Sequence, residues 1–324
     1  MNVLGIETSC DETAASVVHN GKTVRSNIVS SSLNFHKKYG GIIPEIAFRR
    51  QLETIAEVTD NALKDAGIGL DKIGLISVTN EPGLLGSLLV GISFAKALAA
   101  SRDIPLLGVN HLYSHIFAGH LNKGPAIRFP FTALIVSGGH TSLYYIRDFD
   151  RITLLGSTRD DACGEAFDKV AKILGLGYPG GPVIERTAKT GDPQAIRFNC
   201  SNTADTLDFS FSGIKTAVLY YTQKHKISGD KKKTADICAS FQETALNALV
   251  DKSIHACRTK RCATLVIGGG VAANSRLREK MTDACGRYKI KTVFPEIRFC
   301  MDNAAMVAGL GYWLFKKGGM NAGR

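Results

Sequence analysis

Twice in this chain a short apolar run breaks into a turn of small or polar residues and then returns as a second and a third run. The first copy is Val3 to Ser9, the turn Cys10 to Thr13, the return Ala14 to Val18 and, after His19 to Lys22, a further run Thr23 to Val29. The second is Phe131 to Val136, the turn Ser137 to Thr141, the return Ser142 to Ile146 and a further run Ile152 to Gly156. Runs rich in Val, Ile and Thr, bounded by Gly, Asn and Asp, read as strands joined by tight turns. A strand–turn–strand–strand unit that recurs predicts a duplicated architecture, and 324 residues suffice for two such halves. A tight polar turn between buried strands presents backbone N–H groups, so each turn suits a phosphate. The two turns are expected to face each other across an interdomain cleft, where nucleotides commonly bind. Asp11 and Glu12, in the first turn, are candidates for steering protons or a second cation.

The remaining elements alternate. Helical periodicity covers Pro44 to about Gly67, a strand is expected over Ile73 to Val78, and Glu81 to Ser87 opens a helix through Ala100. Asp160 to Leu174 reads as helix, whereas Gly175 to Pro182 is too rich in glycine for one and suits backbone lying against a ligand. A helix from about Thr234 to Arg258 precedes the strand Ala263 to Ile267, the glycines Gly268 to Gly270 and a helix Ser275 to Cys285. A strand running through glycines into a helix N-terminus reads as a nucleotide-contacting turn. A last strand, Lys291 to Phe294, precedes a helix opened by Met301 to Met306.

Between the halves, the apolar run Ile104 to Val109 leads to Asn110, a good helix N-cap, and a helix through Leu121. On it His111 and His115 lie four apart and leave the same face, a spacing that lets two imidazoles reach one metal ion. Two helix-face histidines with private hydrogen bonds would read the same way. A hydrolytic zinc motif needs Glu directly after the first histidine, and Leu112 stands there, which argues against a zinc protease.

Forty basic against 29 acidic residues, a net charge of +11, point to a polyanionic partner, nucleic acid ahead of membrane. The densest basic run, Lys224 to Lys233, is interrupted at Ser228 to Asp230. No apolar run approaches the roughly 20 residues that span a bilayer. Eight cysteines without a C-x-x-C pair, and no secretory leader, suggest reduced thiols in the cytoplasm.

Taken together, these stretches resemble the bacterial TsaD (Gcp) family of tRNA threonylcarbamoyladenosine transferases along nearly the whole chain. The resemblance rests on Leu4 to Thr13, Tyr39 to Ala47, His111 with His115, Val136 to Thr141, Gly164 to Lys169, Tyr178 to Pro182, Phe209 to Lys215, Gly269 to Asn274, and Asp302 with Asn303. It implies an α/β fold of the actin, heat-shock ATPase and sugar-kinase type, with two ribonuclease-H-like halves around a cleft. The expected division is 1–128, with the C-terminal helix of about 303–324 packing back on it, and 129–302.

By the same resemblance His111, His115 and Asp302 ligate one divalent metal ion, Fe2+ with Zn2+ as the alternative. Ile135, Val136, Ser137, Gly138, Gly139, Asp168, Gly181, Glu185 and Asn274 would bind substrate. The implied reaction moves a threonylcarbamoyl group from L-threonylcarbamoyl-AMP to the N6 amine of the adenosine beside the anticodon. The implied tRNAs read codons that begin with adenine, and AMP is released. Implied partners are tRNA, a non-catalytic paralogue of the same fold (TsaB-like) and a P-loop ATPase (TsaE-like). A same-fold scaffold would be expected to lose the histidines, which this chain keeps. Where the family often reads Pro-Glu-x-Ala-Ser-Arg-x-His, this chain has Phe48, Arg49, Arg50 and Gln51 after Ala47.

Overall fold

In a computed structural model that describes residues 1–36, 39–126, 128–200, 206–225, 227 and 229–318, the chain forms two units. Unit 1 comprises Met1–Ile127 and Pro295–Arg324, and unit 2 comprises Arg128–Phe294. Lys226 and Ser228 of the basic run, and 319–324 of the expected last helix, lie outside the described residues.

Unit 1 is built on β1 (Asn2–Glu7), β2 (Glu12–His19) and β3 (Thr23–Ser31), followed by the single turn α1 (Leu33–His36) and α2 (Pro44–Asp65). Then come β4 (Ile73–Glu81), α3 (Leu85–Arg102), β5 (Leu106–Asn110) and α4 (His111–Phe117). The sheet order is β3-β2-β1-β4-β5, with β1 central, antiparallel to β2 and parallel to β4. A central strand is covered on both faces, so Val3 to Glu7 are all buried. Strand alternation sends Leu4 and Ile6 to one face, where they join Ile55 of α2 and Ala95 and Ala99 of α3. Gly5 and Glu7 belong to the opposite face.

Unit 2 repeats the plan with β6 (Phe131–Val136), β7 (Thr141–Asp148), β8 (Arg151–Ser157), α5 (Cys163–Ile173), α6 (Gly180–Ala188), α7 (Ser212–His225) and α8 (Lys231–Lys260). It closes with β9 (Thr264–Gly268), α9 (Ser275–Arg287) and β10 (Lys291–Val293). The sheet reads β10-β9-β6-β7-β8, again antiparallel through β6, β7 and β8 and parallel through β6, β9 and β10. The duplication expected from the two polar turns is therefore present strand for strand.

The chain then returns to unit 1 as α10 (Ala304–Lys316), which packs on β1, β2, β4 and α4. Close approach is possible because β1 carries Gly5. A Cβ there would stand 2.2 Å from the Ala304 carbonyl oxygen and 2.9 Å from the Ala308 nitrogen. Gly309 does the same for α4, since a Cβ there would meet the Phe117 ring at 2.6 Å.

Three local expectations change. Gly180, Gly181 and Pro182 begin α6 instead of forming an open loop, because the first turn of a helix tolerates proline and leaves its N–H groups for outside acceptors. The helix expected from Asp160 starts at Cys163, since the Asp160 carboxylate accepts from Ser210, Phe211 and Ser212 at the start of α7. The helix expected from Asn110 through Leu121 ends at Phe117, and Ala118–His120 tighten into a 3-10 turn. In addition, α3 is by length and hydropathy able to cross a membrane, yet it packs on α2 and β4.

Candidate metal centre

Three backbone ends meet on the α10 face of the unit 1 sheet: the end of β1, the start of α4 and the start of α10. The Asn110 side chain caps α4, accepting from the backbone N–H groups of Leu112 at 3.0 Å and Tyr113 at 3.2 Å. This fixes the first turn, so His111 and His115 project together with ring centroids 4.6 Å apart and planes at 82°. Asn303 caps α10 by accepting from the Met306 N–H, which places Asp302 just outside that helix.

Asp302 Oδ1 lies 3.1 Å from His115 Nε2 and 3.6 Å from His111 Nε2. One ligand atom from each of the three residues falls within 4.8 Å of the others. Ligands about 2.0–2.1 Å from a tetrahedral ion stand about 3.3 Å apart, close to the two separations of Asp302 from the histidines. Two imidazoles and a carboxylate, with both histidines buried, make a donor set for one divalent cation.

The other nitrogen of His111 is occupied. Its Nδ1 lies 3.0 Å from Glu7 Oε2 and 3.1 Å from Ser9 Oγ. Glu7 is fully buried and also accepts from the Thr79 hydroxyl and the Ser9 N–H, both at 2.6 Å. A carboxylate so placed keeps hydrogen on Nδ1 and leaves Nε2 to face Asp302. Burial alone would raise the Glu7 pKa, but the His111 charge and hydrogen bond hold it below the usual range. Burial works against the charged form of His111, and the Glu7 and Asp302 carboxylates still lift it to about 9. Glu7, in contact with His111, is the member of this cluster that spacing rules missed. Its only signal was a carboxylate ending an apolar strand, on the same side as Gly5.

Glu12 opens β2, and its Oε1 accepts from Ser31 Oγ at 2.9 Å. Burial, reinforced by the neighbouring Asp11 charge, raises its pKa to about 7. Asp11 is raised as well, by burial and then by the Asp302 charge, so this turn and the cluster share one acidic environment.

In unit 2 the expected substrate residues occupy the end of β6 and the turn after it, α5 (Asp168), α6 (Gly181 and Glu185) and the N-cap of α9 (Asn274). Gly138 and Gly139 stand open, with nothing within 4 Å of an added Cβ. At Gly269 φ is +92° and a Cβ would meet the Val136 carbonyl oxygen at 2.4 Å, so the fold itself requires that glycine. Asp168 accepts from the Gly180 N–H at 2.6 Å. Burial raises its pKa against that hydrogen bond. Glu185 accepts from the Ser275 N–H at 2.8 Å and its hydroxyl at 2.5 Å. Asn274 caps α9 through Leu277 and donates to Gln242 Oε1 at 3.0 Å. Glu185, Gln242 and Ser275 line a cavity of about 280 Å³ together with Lys189, Glu243 and Arg276. Gln242 and this cavity were not anticipated, because no short motif marks them.

Two solved structures share the architecture. Full-length HypF matches with TM-score 0.62 and 13% identity, over 97% of this chain and 55% of that one. Component A of the Acidaminococcus fermentans (R)-2-hydroxyglutaryl-CoA dehydratase matches with TM-score 0.55 and 16% identity, over 97% and 98%. At such identities the likeness shows the fold alone: a duplicated α/β fold of the actin and sugar-kinase type. Sequence relatives are far nearer. A Clostridium botulinum (strain 657 / Type Ba4) tRNA N6-adenosine threonylcarbamoyltransferase is 48% identical over 319 residues, 98% of this chain and 94% of that protein. The Symbiobacterium thermophilum enzyme of the same description is 50% identical over 316 residues, 98% and 92%. The family model described as TsaD, tRNA N6-adenosine threonylcarbamoyltransferase, matches residues 23–309. With half its residues shared across almost its full length, and the histidine–aspartate cluster assembled, this chain belongs to the TsaD family.

Proposed function

We propose that the chain transfers the threonylcarbamoyl group of L-threonylcarbamoyl-AMP to the N6 amine of the adenosine beside the anticodon, in tRNAs that read codons beginning with adenine. Threonylcarbamoyl transfer to tRNA adenosine is the reaction of its family. The observation that carries the reading to these residues is the convergence of His111, His115 and Asp302 in a chain that matches the family end to end.

In the reaction the adenine nitrogen forms a bond to the carbamoyl carbon, the bond from that carbon to the phosphate oxygen breaks, and AMP leaves with the electron pair. The amine loses one proton. Glu12, raised to about 7 by burial and then by the Asp11 charge, is suited to accept it. Holding a weak amine against an activated anhydride is the larger task. Ile135, Val136, Ser137, Gly138, Gly139, Asp168, Gly181, Glu185 and Asn274 would hold the adenylate. A divalent ion on the two histidines and Asp302 would supply a Lewis acid toward a carbonyl or phosphate oxygen. Fe2+ is the ion proposed, ahead of Zn2+, on the family resemblance, since two histidines and one carboxylate with open positions serve either ion.

Partners follow the same reading: tRNA, a same-fold paralogue of the TsaB type and a P-loop ATPase of the TsaE type, in the cytoplasm. The exposed Leu52 of α2 and Leu85 and Leu89 of α3 support a protein contact on unit 1. The test is transfer of labelled threonylcarbamoyl from its adenylate to unmodified tRNA, with the partner proteins added. His111→Ala should lose tight metal binding and transfer together, and full transfer by the chelated variant would sink the metal's role. A Cβ at Gly139 has no other heavy atom within 4 Å, so Gly139→Val adds its bulk on the side left open for phosphate. It should therefore weaken adenylate binding at unchanged Tm, and unchanged affinity would place the nucleotide elsewhere.

A further inference from the structure

The core face of α2 is Ala47, Gln51, Ile55, Val58, Thr59 and Ala62, and among these Gln51 is a fully buried amide in an otherwise mostly apolar stripe. A buried amide is costly unless its hydrogen bonds compensate. The Gln51 Nε2 group donates to the carbonyl oxygens of Glu12 at 2.9 Å and Cys10 at 3.0 Å, with that of Thr8 at 3.5 Å. Its Oε1 has no hydrogen-bond partner among the described residues. Rotating the amide would set Oε1 against those carbonyls, so only the donor face of this side chain is in use.

The other carbonyls of the turn are tied as well. Ser9 accepts from the Leu84 N–H at 2.8 Å, and Asp11 accepts from the Ser32 hydroxyl at 2.7 Å and N–H at 3.3 Å. Cys10 takes a second bond from Ser87 Oγ at 3.1 Å. The backbone between β1 and β2 is thus anchored by its oxygens, and one side chain, Gln51, bridges both ends of the segment that carries Asp11 and Glu12.

We propose that Gln51 is a positioning residue for the transfer reaction: its amide clamps the Thr8 to Glu12 backbone and so sets where the Asp11 and Glu12 carboxylates stand. This rests on the reading that those carboxylates serve the reaction. Gln51→Met keeps the length of the side chain and completes the apolar stripe while removing both donors. In the full chain, hydrogen exchange at the amides of 9–12 should accelerate at least tenfold, while β1 and the rest of α2 keep their protection. With the partners present, kcat should fall about 10- to 100-fold, the scale of a small misplacement of catalytic groups. KM for the adenylate and metal affinity should each stay within about threefold, whereas loss of a carboxylate behind a ligand histidine costs metal affinity about 10- to 100-fold.

Unchanged exchange at 9–12 overturns the clamp, whatever the carboxylates do. Faster exchange with full transfer, in a protein that Asp11→Asn or Glu12→Gln inactivates, overturns the positioning role. If Asp11→Asn and Glu12→Gln both retain transfer, it is the reading of the carboxylates that fails, and exchange still decides the clamp. A loss of metal affinity in Gln51→Met as large as that in Glu7→Gln would also overturn the proposal, because the turn would then act through the metal.

Discussion

The carboxylate of Glu7 and the imidazole of His111 are a buried pair whose charge state governs what the cluster can bind. Desolvation opposes both charges, but their mutual attraction prevails, and His111 is lifted to about 9. Its folded pKa exceeds the unfolded value of about 6.5. The stabilisation from charged His111 is therefore full below about pH 6.5 and is lost as pH rises through about 9. Metal binding runs the other way, since a cation on Nε2 must displace a proton. In the metal-free chain Tm should fall over that window while metal affinity tightens by up to about tenfold per pH unit, read by calorimetry and chelator competition. Both quantities staying flat would show that the pair is not charged. Glu7→Gln should weaken metal binding about 10- to 100-fold, measured near pH 9.5 where proton competition has gone. At this scale the sequence offered the two histidines through their spacing and Asp302 through family resemblance. It hid Glu7 and Gln51, because what makes them matter is burial against residues 39 to 104 positions away.

Elements position these residues through a few close backbone approaches. Gly5 lets α10 lie on β1, and so brings Asp302, at the foot of α10, to the histidines of α4. Gly5→Ala should cost about 1–3 kcal/mol through overpacking. It should also weaken metal affinity, since Asp302 moves with its helix while the histidines stay. Gly41→Ala, where a Cβ meets nothing within 4 Å, is the control, and equal Tm and metal affinity in both variants would show that α10 is not set by Gly5. Strands were legible because apolar, β-branched runs and their bounding turns leave a mark within a few residues of each run. Helix starts were less so. Gly180 opens α6 because Asp168 supplies an acceptor for its N–H, and Asp160 belongs to α7 instead of α5. Both facts depend on a side chain 12 or 51 residues away, which no local pattern encodes.

At the scale of the whole molecule, duplication was legible because each half repeats the order strand, polar turn, strand, strand, and the sheets pair in matching order. Surface function is written less directly. The net charge of +11 names a polyanion but not the face that meets it. Arg49 stands where the family pattern also has arginine and Arg50 at its variable position, two adjacent cations on α2, yet Arg49 pairs with Glu45 at 2.7 Å, and Arg50 pairs with Glu53 and lies over the Phe35 ring at 4.6 Å. Exposed pairs of this kind are worth little, about 0–1 kcal/mol, so a phosphate can take the place of either glutamate. Charge reversal here would also set two acidic side chains against Glu45 and Glu53 along α2 and destabilise the helix by itself. Neutralisation is the cleaner probe. If α2 lies on the tRNA track, Arg49→Gln with Arg50→Gln should lower the slope of log affinity against log salt by about one to two, counting one phosphate contact per arginine. Lys316→Gln with Lys317→Gln, at the far end of α10, should leave the slope unchanged, with binding followed by filter retention across a salt series. Equal slopes from both double variants would reduce the basic excess to a general solubility feature. Binding that ignores salt would remove the electrostatic account of tRNA recognition altogether, because a ribose-phosphate chain met through its charge must release counterions as it binds.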